Sequence, residues 1–187
     1  MNQFHFKTEN YGKFFSDLID PQRLNDLGPG HADDKSKEKI SSINLEQAFE
    51  HDKIKNTNYS NACLAGIWLH HDFLDESHTV SQNILTTSGS FWHGIMHRRE
   101  GDYWNSKYWF RQVGDHPIFS FIQSGVSQID SSTRLSELHR KSWDPFLFVD
   151  MVQKYIGTDS DQEDLCKKIQ RLEWQILFDY CYQQAIS

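Results

Sequence analysis

At 187 residues the chain has the size of one ordinary domain, long enough to bury a core and too short for two well-built ones. Nineteen Lys and Arg against 26 Asp and Glu leave a net charge of −7, which excludes whole-surface attraction to nucleic acid or to an anionic membrane, both themselves negative. Hydrophobic residues make up only 37% but aromatics 14%, so the buried area is expected to come largely from Phe, Trp and Tyr.

Helices are expected throughout, because Pro21, Pro117 and Pro145 sit where a first-turn proline starts a helix without losing a needed N–H. Residues 9–19 read as a first helix. Asp20-Pro21 opens a short second one, which Gly28-Pro29-Gly30 stops. The polar run 31–42, with ADDKSKEK at its centre, reads as a solvated loop. Asn44 and Gln47 resemble a reciprocal cap and open a helix to about residue 49; a longer helix begins near Ser60 and runs to about residue 82. Ser90 is a candidate N-cap for the next helix, and Asp115-His116-Pro117 for another. Asp144-Pro145 starts a helix closed by Gly157. Ser160 with Glu163 forms a capping box for a final helix of about 25 residues, whose stripe is Leu165, Ile169, Leu172, Ile176 and Tyr180. The expected fold is an all-α, single-domain multi-helix bundle with a central antiparallel helix pair. The functional core is placed in residues 62–119.

That central pair carries polar groups where core is expected. A face bearing Leu64 and Ile67 or Trp68 continues at three-four spacing to His71, Asp75 and His78, and Asp75-x-x-His78 can aim two ligands at one point. On the second helix His93, His97 and Glu100 share a face, with the imidazoles one turn apart as in helical zinc or iron sites. Packed antiparallel, the two helices bring both sets together. His71, Asp75, His78, His93 and His97 are therefore candidate ligands for a divalent metal, Zn, Fe or Mn, and Glu100, Asp102 and His116 candidate catalytic groups. The bland alternative is a buried hydrogen-bonded polar network.

Beyond them, Arg98, Arg99, Lys107 and Arg111 alternate with Tyr103, Trp104, Tyr108, Trp109 and Phe110. Arginine forks read carboxylates and phosphates and aromatic faces stack, so Arg98, Arg99, Arg111 and Trp109 are expected to hold a small anionic molecule. Two functions follow: a metal-dependent hydrolase or oxidase acting on such a molecule, or a non-catalytic module that binds it or a protein partner.

The segment FWHGIMHRREGDYWNSKYWFRQVGDHP resembles a signature of a family of uncharacterised bacterial and fungal proteins. The resemblance covers mainly residues 62–119 and implies that the segment is one unit; it implies no activity. WLHHDFLDE resembles the His-Asp doublet of HD-type phosphohydrolases, for which His51 would supply the upstream ligand. Phe73 and Leu74 stand where that family has small residues.

The cysteines Cys63, Cys166 and Cys181 are odd in number and lack CxxC spacing, so buried thiols in a reducing compartment are expected. The opening MNQFHFKTENYG has no basic segment before an apolar run, and the longest apolar stretch, 62–69, is too short to span a bilayer. A cytoplasmic chain with no nucleic-acid or membrane partner is the resulting expectation.

Overall fold

A computed structural model describes residues 4–50 and 52–187; His51, the upstream ligand of the phosphohydrolase resemblance, lies outside the described residues. Among these residues there are ten α-helices and no strand: α1 (Gly12–Leu18), α2 (Asp34–Ser41), α3 (Leu45–Ala48), α4 (Thr57–His70), α5 (Leu74–Ser81), α6 (Thr87–Glu100), α7 (Tyr103–Val113), α8 (Phe119–Ile129), α9 (Pro145–Tyr155) and α10 (Asp161–Ile186). The helical class is as the sequence predicts. None of the described helices is long and apolar enough to cross a membrane.

Caps set many of the boundaries. Asn44 accepts from the amides of Glu46 and Gln47, and Asp144 from Phe146 and Leu147 ahead of Pro145. Ser160 accepts from Glu163, while the Glu163 carboxylate reaches back to the Asp159 amide. Thr86, not Ser90, caps α6. Pro21 makes a turn and no helix, and Pro117 lies in a turn ahead of α8. The 31–42 segment is not a loop throughout: α2 forms in it, held down by the fully buried Ile40.

The 26-residue α10 is the spine, packed by α4, α8 and α9. It is buried well beyond the predicted stripe. Trp174, Leu177, Phe178 and Cys181 are all covered, and the three cysteines are free and buried. Close approach needs two glycines: a Cβ on Gly66 of α4 would meet the Trp92 ring at 2.8 Å, and one on Gly94 of α6 would meet Phe110 of α7 at 3.1 Å. The freed backbone is used as well, since Trp174 Nε1 donates to the Gly66 carbonyl and Ser106 Oγ to that of Gly94.

The expected helix running through residues 60–82 breaks at His71–Phe73. The Phe73 amide bonds the Trp68 carbonyl and the Asp72 amide that of Leu69, with Asp72 left-handed at φ 65°: a Schellman end with aspartate where glycine is usual. Phe73 packs edge-on against Trp68, the apolar contact of that motif. The break rotates everything after it.

Candidate metal centre

Five residues, Gln82–Thr86, separate α5 from α6, and this hairpin gathers three imidazoles. His78 comes from α5; His93 and His97 stand one turn apart on α6. One ligand nitrogen of each lies within 4.8 Å of the others. The Nε2 atoms of His93 and His97 are 3.0 Å apart, and the His78 ring centre is 4.6 Å from that of His93 and 5.4 Å from that of His97. His93 and His97 are buried; His78 is half-buried.

The outer nitrogens are anchored. His97 Nδ1 donates to the Glu100 carboxylate at 2.9 Å, which leaves Nε2 of His97 as a lone pair aimed at His93. Ser81 Oγ lies 3.2 Å from His93 Nδ1 and 3.3 Å from the His78 carbonyl oxygen. Two proton arrangements fit. In the first, His93 Nε2 donates to His97 and the Ser81 hydroxyl donates to His93 Nδ1. In the second, His93 Nδ1 donates to Ser81, Ser81 donates to the His78 carbonyl, and both Nε2 lone pairs face one point. The second is the pattern of metal-bound histidines, whose far N–H is held by a carboxylate, carbonyl or similar acceptor. A tetrahedral ion would set the ligand nitrogens about 3.3 Å apart, so His93 and His97 are near that spacing and His78 would close by at most about 1.5 Å.

Burial, aided by neighbouring His97 and His78, pushes the His93 pKa down to about 3, so the ring is neutral near pH 7 as a ligand must be. Trp109 of α7 lies over His93 with ring centres 4.0 Å apart. Asp102, the N-cap of α7, accepts from the Asn105 amide, and that bond above all holds its carboxyl low.

Other predicted residues go elsewhere. His71, the C-cap of α4, contacts Asp33 Oδ2 and the Leu18 carbonyl, tying α4 to the start of α2 and the end of α1. Asp75 is exposed on α5 and outside the cluster. Of the five residues expected to meet, the structure brings together three, His78, His93 and His97; the break at Asp72 turns His71 away. His116 is a core histidine: Nδ1 accepts from the Ile118 amide and Nε2 donates to Ser88 Oγ, so it takes no part in the imidazole cluster.

Two of the three arginines assigned to an anion are committed inside the protein. Arg98 is fully buried, forked onto Glu173 of α10 and lying over Phe148. Arg99 donates to the carbonyls of Gly28, Pro29 and Leu69 and to Asp72, which also takes Arg23 and Asn25. Arg111 is exposed on α7. Sequence reasoning missed Ser81, whose spacing three residues after His78 is the only hint of its role, and missed Asp72 and Glu173 as partners of buried arginines.

No protein-family model, curated protein or solved structure matches this chain. The functional reading therefore rests on the geometry alone.

Proposed function

We propose that His78, His93 and His97 hold one divalent transition-metal ion and that the protein is a metal-dependent hydrolase. The observation that carries this reading is the facing pair of Nε2 atoms, 3.0 Å apart, with Glu100 and Ser81 fixing the opposite edges of the rings. Three imidazoles suit zinc or iron better than manganese, which prefers oxygen ligands. Three protein ligands leave a fourth position for water, whose pKa such an ion lowers to about 7. His93 and His97 position the ion, Glu100 orients His97, and Trp109 shields one wall.

Protein purified without a polyhistidine tag is expected to carry about one zinc or iron per chain after loading, and to gain about 2.7 kcal/mol of stability at metal a hundredfold above Kd. Glu100→Gln is expected to weaken binding about ten- to a hundredfold. Elemental analysis and thermal melts read both.

A second reading has one observation in its favour. The chain Glu100–His97–His93–Ser81 satisfies every one of its ring nitrogens without an ion. It leaves out His78, and that separates the two. In a purely structural network His78→Ala leaves melting behaviour unchanged with or without zinc; in a metal centre it abolishes the zinc-induced rise while leaving the metal-free protein as stable as before.

A further inference from the structure

We infer that the centre takes an uncharged or cationic substrate with a flat or apolar face, and not a phosphate or carboxylate. This rests on the metal reading above and deepens it. The argument is the sign and direction of the side chains around the triad.

The cations of the neighbouring sequence point away. Arg98 and Arg99 are buried in their pairs with Glu173 and Asp72. Lys107 is paired with Asp150 of α9. Arg111 follows Trp109 by two residues, about 200° round α7, so it cannot share the face that Trp109 turns to His93.

The charges that do lie near are acidic. Glu100 is half-exposed while bonded to His97, and the Asp102 amide bonds the His97 carbonyl at 3.0 Å, which holds Asp102 beside α6 at the end of that turn. Asp75, exposed one turn before His78 on α5, is offset by Lys37, which pairs with the adjacent Glu76 and feels Asp75 as well. With a doubly charged ion in place, the Glu100 and Asp102 carboxylates leave its surroundings close to neutral. An anionic substrate would bring its charge there with no donor fork to receive it. A neutral or cationic molecule meets no such opposition, and Trp109 offers it a half-buried aromatic wall beside His93.

The test uses cobalt(II) in place of the native ion, with its visible absorption as the readout and azide and imidazole as probes. Tetrahedral cobalt absorption that depends on His78 establishes the metal; its absence overturns the metal reading itself. With cobalt bound, Trp109→Leu is expected to weaken imidazole binding about fivefold, the scale of one aromatic contact, and to leave azide unchanged. Asp102→Asn keeps an N-cap and is expected to tighten azide at least about threefold while leaving imidazole unchanged. A second arm is salt: azide binding to the parent protein does not weaken as ionic strength rises, because no uncommitted cation beside the ion draws the anion in. If azide instead weakens with salt, or neither substitution separates the two probes, the site attracts anions and the inference is overturned.

Discussion

His116 is the residue whose chemistry differs most from its sequence reading. A histidine beside a proline at a helix start reads as a candidate catalytic group, yet Phe91, Phe119 and Tyr180 surround it and burial pushes its pKa down to about 4. The nearby Asp115 pulls the other way and loses. The unfolded chain therefore takes up a proton near pH 6.5 that the folded one refuses. Stability is full above that value and is lost as pH falls toward 4. By pH 5 the loss is about 2 kcal/mol, and His70, lowered in the same direction mainly by burial, adds to it. Urea unfolding at pH 7 and pH 5 measures the difference. His116→Gln preserves a polar group against Ser88 and is expected to remove most of one proton's share of that dependence; an unchanged pH profile would show that His116 is not excluded from protonation.

At the scale of elements, three caps are legible in the sequence, while the α6 cap, at Thr86 and not Ser90, and the break after α4 are not. Asn44, Asp144 and Ser160 act locally, and their spacing to the first helical residues is enough to identify them. The end of α4 depends on partners far away in sequence. Aspartate is tolerated in the left-handed region, but nothing in HHDF says that Arg23, Asn25 and Arg99 converge on its carboxylate. Sequence periodicity alone carries the helix face straight on and places His71 and Asp75 beside His78. The α6 pair His93 and His97 was legible because both lie within one uninterrupted helix. Asp72→Gly separates the two forces at the break. Glycine relieves about 1–2 kcal/mol of backbone cost, while removal of the carboxylate leaves buried Arg99 uncompensated at about 3–5 kcal/mol, so a net loss of about 2 kcal/mol is expected in thermal or urea unfolding. A stabilised Asp72→Gly protein would mean that backbone strain dominates.

Over the whole molecule, the aromatic composition foretold the core, and the periodicity of α10 foretold its burial but not its polar passenger. Glu173 and Arg98 are both fully buried, and their fork joins the spine to α6 one residue after His97. Burial raises the Glu173 pKa and the Arg98 charge opposes that rise, so the carboxylate depends on its partner. Phe148 brings α9 into the same contact. Such a pair is costly to assemble and more costly to halve. Glu173→Gln is therefore expected to lose about 3–5 kcal/mol, whereas Arg98→Met with Glu173→Leu is expected to come within about 1 kcal/mol of the parent or exceed it. The triad supplies a second readout, because α6 carries both facing imidazoles. If the pair serves only the spine, the double variant binds cobalt with the parent's affinity and absorption. If the fork also sets the rotation of α6, stability recovers in the double variant while cobalt affinity does not, and the buried charge is then part of the centre's alignment.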